Sequence, residues 1–233
     1  MESVLDRVIK QNTENVNLLK TKDYNIFSVL QIQSKEVLIC RMIADLLNPR
    51  GQHGAGAEYL KIFLRDCLGM EKMDTKLADQ AIVTAEYAID DERRIDIVIE
   101  IGSYFLPIEV KIYAADQKSQ CFDYYQYAKR RDAQAKVYYL TLDGHRPGKD
   151  STSSGSQSVP EEDIVCLSFR VHILNWLKAC KSCENTGMVP ILEQFIQNIE
   201  LISGYTSEKV RNMVIDELLK SGDSLRAGMQ IAD

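Results

Sequence analysis

The spacing of apolar residues changes several times along the chain, and each change marks an element. From about Ser34 to Leu47 the chain (VLICRMIADLL) is almost continuously apolar, long enough for a buried helix that Asn48-Pro49 ends. GQHGAG is a loop, and AEYLKIFLRDCLG reads as a second helix with Gly69 as its stop. The period then shortens. QAIVTAEYAI, RIDIVIEI and YFLPIEVKIYA read as three successive strands. DQKSQCFDYYQYAKRR returns to helical spacing, with bases in its last turn as the helix dipole favours. AKVYYLTLDG is a fourth strand and DIVCLSF a fifth, separated by a long Gly/Ser/Pro stretch that reads as a mobile loop. From Val171 onward the pattern is helical: VHILNWLKACK, VPILEQFIQNIELIS and TSEKVRNMVIDELLK. Residues 1 to 22 read as a polar helix or arm. Three adjacent strands imply an antiparallel meander, and the helix before the fourth strand implies a crossover. The expected organisation is an arm over residues 1–25, an α/β core over 26–170, and a helical region over 171–233 packed on or extending from it.

Composition narrows the function classes. The 233 residues carry 45% hydrophobic and 27% charged side chains, as a soluble globular protein does. No apolar run reaches the roughly 18 residues of a membrane span, and MESVLDRVIKQNTENV has no signal-peptide core. The cysteines are scattered through apolar segments, which points to reduced thiols and a cytoplasmic location. Cys180 and Cys183 form a lone CxxC, and His53, His145 and His172 lack ligand spacing, so a zinc site is not expected. A net charge of −6 argues against broad, charge-driven DNA binding. It does not exclude a nuclease, because a bound divalent cation offsets local acids. The ending RAGMQIAD has no evident terminator, so continuation into a longer parent chain stays open.

The candidate chemistry lies in RRIDIVIEIGSYFLPIEVKIYA. Its two strands meet at Gly102-Ser103, and glycine at the first loop position suits a type II′ hairpin turn. That turn places Asp96 opposite Glu109 and Arg94 opposite Lys111, with Glu109 and Lys111 on the same face. The other face collects Ile95, Ile97, Ile99, Ile101, Leu106, Ile108, Val110 and Ile112 as a core face. Two facing carboxylates repel unless neutralised, and a divalent cation with oxygen ligands would do so. The ordinary alternative is a solvated polar face on which Lys111 and Arg94 pair with the acids.

The segments RIDIVIE, PIEVKIYA and QCFDYY resemble the PD-(D/E)XK nuclease superfamily, the restriction-endonuclease-like fold shared by Holliday-junction resolvases and lambda exonuclease. KEVLICRMIADLLNPRGQHG is similar to a bacterial branch of unknown role. The resemblance covers roughly residues 30 to 145, and the αβββαβ order read above is that of the superfamily core. It implies a Mg²⁺- or Mn²⁺-dependent nuclease acting on DNA, with RNA left open and no membrane partner. It also implies Asp96 and Glu109 as metal ligands, joined by the Val110 carbonyl, and Lys111 as the catalytic lysine. Glu36 matches an acid that many members add to the site, and Gln120 and Tyr124 match a helical Q-x-x-x-Y pair that binds substrate. Arg94 is a candidate phosphate contact, as are Arg93, Lys118, Lys129, Arg130 and Arg131. The chain departs from the family pattern at Ile95, where the motif has proline, and at Ile39-Cys40, where relatives often carry His-Ser. Each residue has an ordinary reading too: Glu36 as a first-turn acid after a Ser34 cap, Gln120 and Tyr124 as an amphipathic surface, the bases as a solvated cluster. A nuclease fold retained only to bind nucleic acid or protein is the alternative function. A structural α/β protein with an accidental E-x-K is the third reading, and monomer and dimer are both open.

Overall fold

The computed structural model describes residues 24–71, 74–183 and 186–205. The predicted N-terminal arm and the predicted helix TSEKVRNMVIDELLK lie outside this range. After a one-turn helix at Ile26–Val29, the chain forms helix α1 (Glu36–Leu47) and helix α2 (Glu58–Asp66). Strands β1 (Ile82–Ala88), β2 (Arg94–Ile101) and β3 (Tyr104–Lys111) follow. Helix α3 (Gln120–Arg131) leads into β4 (Val137–Thr141), and β5 (Ile164–Ser168) completes a five-stranded sheet in sequential order. The chain ends, among the described residues, with α4 (Leu174–Cys180) and α5 (Val189–Ile202). β1, β2 and β3 are antiparallel neighbours, while β3, β4 and β5 run parallel. The parallel step requires a crossover, and α3 supplies it. A mixed sheet flanked by helices, with a helical C-terminal region, is the restriction-endonuclease-like α/β fold.

The β2–β3 hairpin forms as its turn chemistry demands. Ile101 faces Tyr104 and Ile97 faces Ile108. Gly102 takes φ +57°, while Ser103 is not in the positive-φ region, the type II′ signature. Helix α1 buries Ile39, Cys40, Ile43, Ala44, Leu46 and Leu47, the stripe that a period of 3.6 produces. This stripe packs on one face of the sheet in a cluster with Ile97, Ile99, Ile101, Leu106, Ile108, Val110 and Ile112. The helices α2, α4 and α5 close the same cluster, where Phe63 meets Trp176 edge-on and Phe27 stacks on Phe195. The other face carries Val98, Phe105, Val137 and Tyr139 against Cys121 and Tyr124 of α3.

Three expectations need correction. Ile95 does not join the α1 face; it packs in the α3 cluster with Val98, three residues away. Strict alternation therefore fails between Ile95 and Val98. The switch occurs in both strands at one position, where Glu86 adopts φ +54° and the β1–β2 ladder skips the Glu86–Asp96 pair: Ala85 stays with the α1 cluster and Tyr87 joins the α3 cluster. The Gly/Ser/Pro stretch is not an open loop. It forms a helical turn at Lys149–Thr152 and a short two-stranded ladder, burying Ser151 and Val159. It covers the start of α3: Ser119 N donates to the Asp150 carbonyl at 2.7 Å, and Cys121 N donates to Ser151 Oγ at 3.3 Å. Ser34 does not cap α1; Lys35 holds the N-cap position without a side-chain bond.

Candidate active site

The site lies where the β2–β3 hairpin opens. The regular ladder between the two strands ends at Ile97 and Ile108. Beyond it, the Asp96 carboxylate takes over a backbone bond, accepting Val110 N–H through Oδ2 at 2.7 Å. That bond fixes the Asp96 carboxylate beside β3. Glu109 and Lys111, two residues apart on one strand, share a face. Lys111 Nζ lies 2.6 Å from Glu109 Oε1, and both side chains are at most 9% exposed. Lys111 pairs with Thr141 of β4, so the rigid centre of the sheet supports it.

The electrostatics are those of a crowded acid pair. Burial pushes the Glu109 carboxyl well above the usual range, and the Asp96 charge pushes it further. Burial also raises Asp96, against the opposing pull of Val110 N–H. For Lys111, burial favours the neutral amine, but Glu109, Asp96 and Glu36 together outweigh it and raise its pKa. Glu109 Oε2 is buried and has no hydrogen-bond donor. The Asp96 carboxylate lies within bonding reach of Glu109, but two acceptors bond only if a proton or a cation sits between them. Among the described residues no group of three or more His, Cys, Asp or Glu side chains converges as a metal cage. The donor set is therefore two hard carboxylates, one with an unclaimed oxygen. That chemistry fits an oxygen-loving divalent cation.

Glu36 stands at the first turn of α1, close enough for its charge to act on Asp96, Lys111 and Cys40. Its Oε1 is committed elsewhere. It accepts the N–H groups of Ile112, Tyr113 and Ala114 at 2.7, 3.0 and 3.0 Å. Cys40, one turn later, is fully buried amid Asp96, Glu109, Glu36 and Glu86; burial first, and then these charges, hold its thiol strongly up. Gln120 and Tyr124 are both buried. Gln120 Nε2 donates to Tyr124 Oη at 3.0 Å, and Tyr124 donates to the Arg94 carbonyl. This relay ties α3 to β2 two residues before Asp96. The Arg94 side chain is exposed and makes no hydrogen bond or ion pair among the described residues. Of the other bases, Arg93 binds Asp123, Gln117 Oε1 and the Lys118 carbonyl, Lys129 pairs with Asp163, and Arg131 pairs with Glu100 over an aromatic cluster. Arg130 lies over the Tyr127 ring.

A family model described as the PD-(D/E)XK nuclease superfamily matches residues 24–203. The chain belongs to the PD-(D/E)XK nuclease superfamily. Comparison with curated proteins and with solved structures found no match. Members of the PD-(D/E)XK superfamily are in general nucleases, usually dependent on divalent metals, which points to a nucleic-acid substrate. No helix among the described residues is long and apolar enough to cross a membrane.

Glu86 was readable in sequence as a first-strand acid near the candidate site, but two structural features there had no readable signal. One is the left-handed Glu86, where a glutamate stands in a conformation that usually selects Gly or Asn. The other is Asp116, which accepts Tyr139 Oη and Gly148 N, both at 2.7 Å, and so ties the covering stretch to β4.

Proposed function

We propose that the protein is a metal-dependent nuclease that hydrolyses DNA phosphodiester bonds. The observation that carries this reading is the orphaned Glu109 Oε2 beside a second buried carboxylate, with Lys111 on the same face. Asp96 and Glu109 would hold a Mg²⁺ or Mn²⁺ ion, with the Val110 carbonyl as a further ligand. When bound, such an ion supplies positive charge that stabilises the phosphorane-like transition state and lowers the pKa of water. Lys111 stays protonated between its carboxylate neighbours. Its ammonium orients the attacking water and donates to a phosphate oxygen as negative charge grows there. Asp96 is held in place by Val110 N–H, so the acid pair is set before substrate arrives. Arg94, exposed and unpaired among the described residues, contacts a neighbouring phosphate. Gln120 and Tyr124, buried against the Arg94 carbonyl, hold that strand end instead of meeting solvent. The resemblance of RIDIVIE, PIEVKIYA and QCFDYY to the restriction-endonuclease-like nucleases is what favours DNA over RNA, and a cytoplasmic location goes with the reduced thiols.

The test is cleavage. Purified protein is incubated with plasmid, linear duplex and RNA, in Mg²⁺, in Mn²⁺ and in chelator, beside Asp96→Asn. Cation-dependent loss of intact DNA that falls by orders of magnitude in Asp96→Asn is the expected result. Cleavage of RNA alone would replace the substrate. Nucleic-acid binding without cleavage under any cation would leave the binding-module reading in its place.

A further inference from the structure

Backbone N–H groups of successive residues in a strand point in opposite directions. Immediately after Lys111 this rule is broken: three consecutive N–H groups, from Ile112, Tyr113 and Ala114, converge on one oxygen of Glu36. β3 ends at Lys111, and the chain curls around that carboxylate. Glu36 comes from another element, the first residue of α1, and α1 gains no side-chain cap from it. Ile112 is buried, so its N–H has little access to water if the acceptor is removed. The neighbouring surface is an open groove lined by Leu30, Gln31, Ser34, Val37 and Tyr113 together with Glu36 itself, and Glu36 is the residue whose side chain accepts all three amides.

We propose that Glu36 is a positioning residue: by gathering these three amides it fixes where β3 ends and so holds the Lys111 ammonium against Glu109. This deepens the nuclease reading and rests on it for the catalytic consequence. It differs from the role that the family resemblance implies, in which this acid joins the reacting centre. A ligand to a cation needs the negative charge of Glu36. A clamp on N–H groups needs only its acceptor oxygen, which glutamine retains. A displacement of about 1 Å in a catalytic group can cost roughly 100-fold in rate.

Glu36→Gln and Glu36→Ala separate the two roles. Amide hydrogen exchange of residues 112–114 is measured first in metal-free protein, where neither cation nor DNA is needed. Protection is expected to persist in Glu36→Gln and to fall at least tenfold in Glu36→Ala. Mn²⁺ affinity by calorimetry is expected to stay within about threefold in both variants, and DNA cleavage at saturating Mn²⁺ should be about 100-fold slower in Glu36→Ala than in Glu36→Gln. Equal protection in Glu36→Ala and wild type overturns the clamp. So does loss of Mn²⁺ binding in Glu36→Gln to the extent seen in Glu36→Ala, which assigns Glu36 to the cation. If wild type itself binds no cation, the nuclease reading falls instead, and amide exchange still decides whether Glu36 holds the strand end.

Discussion

Glu86 on β1 stands opposite Asp96 on β2 at the position that the β1–β2 ladder skips, and Glu86 is the residue with φ +54°. The interruption lets Ile95 turn to the α3 side of the sheet while Ile97 stays on the α1 side. Asp96, between them, is unpaired on the β1 side, and on the β3 side, beyond the end of that ladder, its side chain accepts Val110 N–H. The kink lies directly beside the acid pair, and a left-handed non-glycine residue costs about 1–3 kcal/mol.

Replacing Glu86 should distinguish the kink from the side chain. Glu86 forms an ion pair with Arg41 at 2.7 Å, but Arg41 is well exposed, so the pair contributes roughly 0–1 kcal/mol. Glu86→Gly removes the pair and keeps the conformation; its stability should stay within about 1 kcal/mol of wild type. Glu86→Val puts a β-branched residue at positive φ and should cost about 1–3 kcal/mol. Denaturant melts of the two variants measure this. Equal losses in both would assign the effect to the side chain alone.

Lys111 holds a buried acid in the folded state, so its removal acts on stability as well as on chemistry. Lys111→Met leaves Glu109 without its cation, and breaking a buried pair costs about 3–5 kcal/mol. Glu109 escapes part of this by taking up a proton. Its folded pKa is raised, so the folded state binds more protons than the unfolded state above the ordinary carboxylate range, and stability falls as pH rises. In chelator, the gap between Lys111→Met and wild type should widen from pH 5 to pH 8. A pH-independent gap in thermal melts would contradict this.

His172 gives a separate acid-side effect. Its Nδ1 accepts Ser168 N–H at 2.9 Å, which requires that nitrogen unprotonated, and burial lowers its pKa. The unfolded chain therefore binds more protons below about pH 6.5, and stability should fall as pH drops through that value. His172→Asn keeps an acceptor without titrating, and its melting temperature should lose this acid limb. An unchanged acid limb in the variant would assign it to other groups.

Asp96→Asn should raise the stability of the metal-free protein. Asparagine can still accept Val110 N–H, its amide can donate to the acid beside it, and a like-charge contact disappears. A buried unsatisfied acceptor costs about 1–3 kcal/mol, and each kcal/mol moves the melting temperature of a domain this size by about 2–4 °C. A lower melting temperature in chelator would show that the two carboxylates do not repel in the folded state.

The hairpin was legible because two local signals agree: Gly102-Ser103 sets the turn, and a period of two sets the faces. Those signals also located Asp96, Glu109 and Lys111 on one patch. Ile95 was misplaced because alternation assumes an unbroken strand, and nothing in TAEYA announces that Glu86 is left-handed. The Gly/Ser/Pro stretch looked mobile by composition, yet its order comes from distant partners, Asp116 and the first turn of α3. Glu36 was readable as an acid at a helix start. That its oxygen would serve amides 76 to 78 residues away is a tertiary fact with no local signature. Arg93, Lys129 and Arg131 resembled phosphate contacts in sequence, but their partners in the fold are protein groups.

The central claim is that Asp96 and Glu109 form a divalent-cation site, and Mn²⁺ titration by calorimetry in two buffers of different ionisation heat tests it most directly. Saturable binding is predicted for wild type, with a buffer-dependent heat because the acid pair gives up a proton as the cation enters. In Asp96→Asn the affinity should fall at least tenfold. No binding by wild type even with DNA present, or equal affinity in Asp96→Asn, would contradict the account.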